Sequence, residues 1–201
     1  MLDQFFGIGL AEWLAVLLAL AYLLLAIRQN PWCWACAAAR ALLYLVVYAR
    51  AGLPMQSAVQ LVFIALAAYG WYAWRGGDRA VTRRPVSRWP ASRHLAAIAL
   101  VLAASLANGY LIGQGREFLP YVDAFIAWAS VLTTWMVAHK LIENWLYWIV
   151  IDLVAAALYL SLGLYPTAML FVLYAAIAVR GYKAWKQSMV SDTGNGARMH
   201  A

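Results

Sequence analysis

Charge is the scarcest ingredient of this sequence. Of its 201 residues only 11% are charged, whereas soluble domains run at about 25%. So low a share, set in so apolar a chain, excludes intrinsic disorder. Cysteine is nearly absent too: Cys33 and Cys36 are the two in the chain, which excludes a disulfide scaffold. The histidines, His94, His139 and His200, fall in loops or tail without the HxxE or HExxH spacing of a metal site. No P-loop, GxGxxG turn or GxSxG elbow occurs. Hence no metal, no cofactor, no catalytic residue and no enzymatic activity are expected. The N-terminus lacks the basic region and small-residue cleavage site of a signal peptide and is read as mature protein.

What the chain has in excess is apolar surface. It is 66% hydrophobic and carries 11 Trp, 12 Tyr and 6 Phe. A soluble chain of this size could not cover so much apolar area with polar groups. A lipid bilayer is the solvent that fits. The net charge of +7 sits in the loops, so it reads as membrane orientation rather than nucleic-acid binding. Cys33-Trp-Ala-Cys36 opens an apolar run with no βαβ pattern around it, and the two thiols read as small buried side chains.

A spanning helix needs about 20 mostly apolar residues. Runs of that kind cover about Leu10–Ile27, Trp32–Tyr48, Met55–Trp74, Leu95–Ile112, Tyr121–Ala138, Trp145–Leu162 and Tyr165–Trp185. Asn30-Pro31, Gly52-Leu53-Pro54, Gly76-Gly77, Gly113-Gln114-Gly115 with Pro120, and Gly163 with Pro166 interrupt them. Arg75, Arg79, Arg83, Arg84, Arg88 and Arg93 crowd the loop after the third run, and such clusters stay cytoplasmic. Alternation then puts Arg28, His139-Lys140, Lys183 and Lys186 inside as well. Outside lie Arg50, then Arg116 beside Glu117. The expected topology has the N-terminus out and the C-terminus cytoplasmic.

Sliding the chain by 111 residues aligns Trp34 with Trp145, Tyr48 with Tyr159, Gly52-Leu53 with Gly163-Leu164, and Gly70 and Trp74 with Gly181 and Trp185. The expected fold is therefore an all-α polytopic membrane protein of seven transmembrane helices in a 3+1+3 plan. Two parallel triple-helix repeats, residues 10–75 and 121–186, flank a linker helix at 95–113. A basic loop fills 76–94, and 187–201 reads as a disordered tail. The odd linker span makes both triplets cross in the same direction, one of the architectures transporters use.

Polar residues inside spans usually face a bundle interior or cavity. On the sixth run Asn144, Trp145, Trp148, Asp152 and Tyr159 share a stripe, and the second run shows Trp34, Ala37, Ala41, Tyr44 and Tyr48. The third run aligns Gln56, Gln60, Phe63, Ala67, Gly70 and Trp74. The seventh aligns Thr167, Phe171, Tyr174, Ala178, Gly181 and Trp185. Facing one another, these stripes would enclose an aromatic chamber for a flat ligand with polar edges. A cationic ring would gain a further cation–π attraction of about 0.5–2 kcal/mol. Gln60 and Asn144 offer donors and acceptors, either to such a ligand or to helix backbones. Asp152 reads either as a ligand contact or as the counter-ion of Arg40 at the matching depth. Trp13, Trp71, Trp74, Tyr182 and Trp185 read as interfacial anchors, and Glu12 and Asp123 as solvated.

Ala26-Ile-Arg-Gln-Asn-Pro-Trp-Cys-Trp34, Tyr69-Gly-Trp-Tyr-Ala-Trp74, Ile142-Glu-Asn-Trp-Leu-Tyr-Trp-Ile-Val-Ile-Asp152 and Gly163-Leu-Tyr-Pro-Thr-Ala168 together resemble the PnuC-type transporters of bacterial vitamins. The resemblance runs over nearly the whole chain. It implies the 3+1+3 plan that family shares with the SWEET sugar transporters. It also implies uptake of nicotinamide riboside by facilitated diffusion, made one-way by a cytoplasmic kinase. Gln60, Asn144, Trp145 and Trp148 match the family's ligand chamber, with Asp152 beside them. Arg40 departs from the small residue expected there. The implied partners are a small-molecule vitamin and the bilayer, with functional coupling to the kinase; a homo-oligomer is compatible with the plan. Thiamine or another vitamin of the same family is the alternative substrate. A non-transporting receptor or scaffold, with the aromatic stripes as packing, is the reading from another class.

Overall fold

The computed structural model describes residues 9–75, 85–113 and 118–198. Seven helices follow in chain order: α1 (Leu10–Ile27), α2 (Trp32–Arg50), α3 (Pro54–Arg75), α4 (Ala91–Gly113), α5 (Leu119–Ala138), α6 (Asn144–Ser161) and α7 (Tyr165–Arg198). Helices α2 to α7 each hold an apolar stretch long enough to cross a bilayer. The 18 residues of α1 rise about 27 Å. No strand occurs among the described residues. The chain is an all-helical, multi-pass membrane protein. The expectations for Gly76, Gly77, Arg79, Arg83 and Arg84, and for Gln114, Gly115, Arg116 and Glu117, fall outside the described residues.

Local chemistry sets the helix ends. Asn30 Oδ1 accepts the Trp32 N–H at 3.0 Å at the start of α2. Pro54, Pro120 and Pro166 stand in the first turns of α3, α5 and α7, where their missing N–H costs nothing. Four helix ends close by the same device. The Asn30, Leu53, Leu141 and Leu164 N–H groups reach back to Leu25, Tyr48, Met136 and Tyr159 carbonyls at 2.9–3.0 Å. The residue before each has positive φ: Gln29 at 52°, Gly52 at 70°, Lys140 at 53° and Gly163 at 73°. This is the Schellman closure, for which glycine is the usual residue. Glycine takes the position at Gly52 and Gly163, whereas Gln29 and Lys140 adopt it with a side chain. Each like pair is 111 residues apart.

Helix contacts run α1–α2–α3–α5–α6–α7 and back to α1, a closed ring of six, while α4 packs on α5 from outside. Small residues line the contacts: Ala15, Ala19, Ala67, Ala129, Ala155 and Ala178 are buried. Leu17, Leu24, Leu100 and Leu111 are exposed on the outside. That inverted pattern is what lipid selects, since helices associate there by close approach through small side chains.

The bundle has two ends. One bears the α1–α2 and α5–α6 turns and the tails of α3 and α7; we call it the tryptophan end. The other bears the α2–α3 and α6–α7 turns with Gly52 and Gly163; we call it the glycine end. The described part of the basic loop returns to the tryptophan end. Ser87 exchanges backbone bonds of 3.0 Å with Lys140 O and the Ile142 N–H, and Val86 is buried there. Helix α7 continues to Arg198, through most of the segment that the sequence reading takes as a disordered tail.

Candidate functional site

The tryptophan end is held shut by bonds between the two triplets of the ring. Trp185 Nε1 donates to Ala26 O at 3.1 Å, tying α7 to α1. Trp74 Nε1 donates to Ala138 O at 3.1 Å, tying α3 to α5. Between them, Lys140 Nζ donates to Gln29 Oε1 at 3.0 Å and lies 5.0 Å from the Trp74 ring centroid. Gln29 Nε2 donates to Ser188 Oγ at 3.0 Å. The two turn residues that forgo glycine therefore meet each other. A left-handed backbone costs a side-chain-bearing residue about 1–2 kcal/mol, and here the side chains that incur it form a latch.

Above this latch an indole lattice fills the end of the ring. Trp34 meets Trp74 at 5.5 Å, Trp74 meets Trp185 at 6.2 Å, and Trp185 meets Trp145 at 5.5 Å. Trp34 and Trp145 occupy matching places: a Cβ on Gly70 would overlap the first indole, and one on Gly181 the second. Both glycines exist to let an indole lie against helix backbone. Trp185 is fully buried and Trp74 partly so. They brace the protein interior, which corrects their reading as lipid-interface anchors.

The lattice contains polar atoms that fold stability does not explain. The Trp34 and Trp145 indole N–H groups, Asn144 Oδ1 and the Tyr22 hydroxyl are all buried without a hydrogen-bond partner. Asn144 uses its amide to donate to Leu141 O and leaves its carbonyl unused. Burying such a group unpaired costs about 1–3 kcal/mol. Two donors and one acceptor, gathered among aromatic faces, form a ready set of partners for a flat ring with a polar edge.

The expected site residues divide by depth. Trp34, Asn144, Trp145 and Trp148 lie at the tryptophan end. Trp34, Trp145 and Tyr174 belong to one buried cluster, with Trp148 packed against it. Gln60 does not join them: it is toward the glycine end of α3, about 15 Å of helix rise from Gly70, the residue on which Trp34 lies. Asp152 is buried midway along α6. Arg40 stands midway along α2, and its guanidinium lies 5.3 Å from the Tyr44 centroid. Toward the glycine end, Tyr44 stacks on Tyr48 at 5.6 Å and Tyr159 on Phe171 at 5.4 Å. Cys33 is buried and Cys36 partly so, and both are free thiols.

Sequence reasoning overlooked Tyr22, Gln29, Lys140 as more than a loop charge, and Ser188. The 111-residue register already placed Gln29 opposite Lys140, so that signal was present.

The sequence model of the nicotinamide mononucleotide transporter family matches residues 9–187. The riboflavin/roseoflavin transporter RibM of Streptomyces davaonensis is 28% identical over 174 residues, 84% of this chain and 81% of that protein. The nicotinamide riboside transporter PnuC of Escherichia coli is 21% identical over 168 residues, 71% of this chain and 70% of that protein. Among solved structures, the crystal structure of the vitamin B3 transporter PnuC superposes with a TM-score of 0.69 at 17% identity. It covers 90% of this chain and 82% of that one.

Proposed function

The chain belongs to the nicotinamide mononucleotide transporter family, and from that premise we propose that it takes up nicotinamide riboside across a bacterial inner membrane. The observation that carries this reading is the set of buried, unpaired polar atoms among the indoles. A carboxamide on a planar ring has an acceptor beside a donor. Its oxygen would take an indole N–H of Trp34 or Trp145, and its NH2 would give to Asn144 Oδ1. The indole faces suit a pyridinium, adding a cation–π attraction.

Facilitated diffusion by alternating access fits the architecture. We read α1–α3 and α5–α7 as two parallel repeats that rock about the ring's interior, with the tryptophan end cytoplasmic, as the positive-inside pattern requires. The latch across Gln29, Lys140 and Ser188 is then the inner gate. Gln60, Asp152, Arg40 and the stacked tyrosines line the route from the glycine end. A cytoplasmic kinase that phosphorylates the vitamin would make uptake one-way.

A second substrate is favoured by two particulars. RibM, a riboflavin/roseoflavin transporter, aligns over most of this chain, and Arg40 adds a positive charge that a cationic ring would meet on the route. A neutral isoalloxazine presents the same alternation of acceptor and donor along one edge.

Counterflow in proteoliposomes tests both. Labelled nicotinamide riboside should exchange against unlabelled vitamin inside, and the exchange should fall in Trp145→Phe. Exchange of riboflavin alone would transfer the assignment to the second reading, and thiamine completes the panel. Absence of exchange with all three, from folded protein, would refute vitamin transport.

A further inference from the structure

Beside the latch, on the outer flank of the tryptophan end, a groove of about 390 Å³ opens between the α1–α2 turn and the tail of α3. Its wall includes Arg28, Gln29, Asn30, Trp32, Trp71 and Arg75. Among the described residues no carboxylate lines it. The Arg75 guanidinium lies 4.7 Å from the Trp71 centroid, and Trp71 meets Trp32 edge-on at 5.2 Å. Stacking engages the flat face of a guanidinium and leaves its N–H donors for an acceptor in its plane. Trp32 is 63% exposed.

Basic residues at a cytoplasmic boundary follow from membrane orientation alone. Orientation does not ask for a guanidinium stacked on an indole, a second arginine across the same groove, or an indole standing open beside them. Paired arginines suit the oxygens of a phosphate, the indoles suit a planar ring, and the volume is within the range of small-molecule sites.

We propose that this groove binds a phosphate monoester whose molecule also carries a planar ring, as in a nucleotide, with the phosphate on Arg28 and Arg75 and the ring against Trp32 and Trp71. The inference rests on the transport reading in one respect: a vitamin phosphorylated after entry is such an ester, and it accumulates on this side. Gln29 is shared between the groove wall and the latch. An occupant therefore braces Gln29 against Lys140 and holds the inner end closed, so that the phosphorylated product slows further entry.

A phospholipid headgroup offers similar anionic phosphate oxygens, as a diester, and separate arms distinguish the two sources. In the first, calorimetric titration of the purified full-length protein uses nicotinamide mononucleotide, flavin mononucleotide and inorganic phosphate. At least one nucleotide should bind more tightly than phosphate. The double variant Arg28→Gln/Arg75→Gln should weaken that binding by about tenfold or more, the loss expected for charge-assisted hydrogen bonds. In the second, the bound nucleotide trapped inside proteoliposomes should slow counterflow of the unphosphorylated vitamin. The double variant should exchange at the wild-type rate and resist that inhibition. In the third, the titration is repeated in nanodiscs of phosphatidylcholine and of phosphatidylglycerol. Arginine-dependent stabilisation by phosphatidylglycerol without nucleotide binding would assign the groove to lipid and overturn the proposal. Equal nucleotide binding in wild type and double variant would overturn it too. So would inhibition that survives in the double variant, since the nucleotide then acts in the transport chamber. Failure of counterflow alone, with arginine-dependent nucleotide binding intact, strikes the transport reading and leaves the groove standing.

Discussion

The two ends of this bundle are built from similar residues and held together by different forces. At the tryptophan end, indole N–H groups reach carbonyls on the neighbouring triplet, and a lysine, a glutamine and a serine bridge the middle. At the glycine end the contacts stay local: Tyr44 stacks on Tyr48 one turn along α2, Tyr159 stacks on Phe171 of the adjacent α7, and the side-chain bonds of Ser57 and Ser161 stay within a helix and its cap. Hydrogen bonds are directional and break in a step; stacked rings slide. The difference teaches that the tryptophan end is the one where directional bonds join α1–α3 to α5–α7, so it is the end expected to open in a step.

Glycine shows the same division, and the largest effect is expected there. Gly70 and Gly181 are needed for space, because an indole occupies the place of a side chain. Gly52 and Gly163 are needed for backbone angle: nothing lies within 4 Å of an added Cβ, but φ is +70° and +73°. Gly181→Val should overpack the Trp145 contact and cost about 3 kcal/mol, read as a lowered Tm in detergent. Gly52→Ala should cost about 1–2 kcal/mol from its dihedral alone, with Gly52→Asn recovering much of it. Equal losses in Gly181→Val and Gly52→Ala, or recovery of Gly181 by Asn, would erase the distinction.

The latch comes next. Lys140→Met keeps an apolar stem but removes the donor to Gln29 and the charge over Trp74. A hydrogen bond to a charged group is worth about 1.5–3 kcal/mol. The open tryptophan end should therefore become about 10- to 100-fold more populated. Cys33, buried at this end, reports it directly: its alkylation by a water-soluble maleimide should accelerate by that factor. The mirror experiment at the glycine end, Tyr159→Leu, should leave the Cys33 rate unchanged or lower it. An unchanged rate in Lys140→Met would mean that the latch is not the gate.

These contrasts also mark what the residues alone disclose. Lipid enforces apolar runs of near-constant length, so most spans were legible to within a few residues; α1 occupies Leu10–Ile27 as read, while α4 starts four residues before the apolar run and α7 continues to Arg198. The ends were less so. A tryptophan in a lipid-interface belt and one donating to a neighbour's carbonyl have the same sequence environment, and only the partner helix tells Trp185 from Trp13. Ser188 lies beyond the last apolar run as read, although Tyr182, Trp185 and Met189 carry the helical spacing past it and pack into the buried cluster. Gln29 was hidden for a different reason. It occupies a turn position where glycine is the expected choice, and its meaning emerges only when Lys140 is seen to share both the dihedral and the bond.

Substrate recognition should respond more to the indole donors than stability does. Trp145→Phe removes a buried N–H that has no partner in the protein, so the loss of packing is offset by relief of an unpaired donor of about 1–3 kcal/mol. The Tm should barely move, whereas vitamin affinity should fall about tenfold, one hydrogen bond's worth. Trp185→Phe should do the reverse, because its N–H is already spent on Ala26 O: stability drops and affinity follows only through the fold. If both variants lost affinity and stability together, the unpaired indoles would be packing groups and not ligand donors.

The smallest effect belongs to the far end of the latch. Ser188 Oγ accepts from Gln29 and donates to Trp185 O at 2.9 Å within its own helix. Ser188→Ala leaves Lys140 bound to Gln29 and forfeits one neutral bond, about 0.5–1.5 kcal/mol. Its Cys33 alkylation should rise by about 2- to 10-fold, in the same direction as Lys140→Met but less. If Gln29 is the shared member, the double variant Lys140→Met/Ser188→Ala should gain less than the product of the single effects, because residues in one network do not add. Full multiplicativity would show that the serine and the lysine act independently, and that the three residues are neighbours rather than a gate.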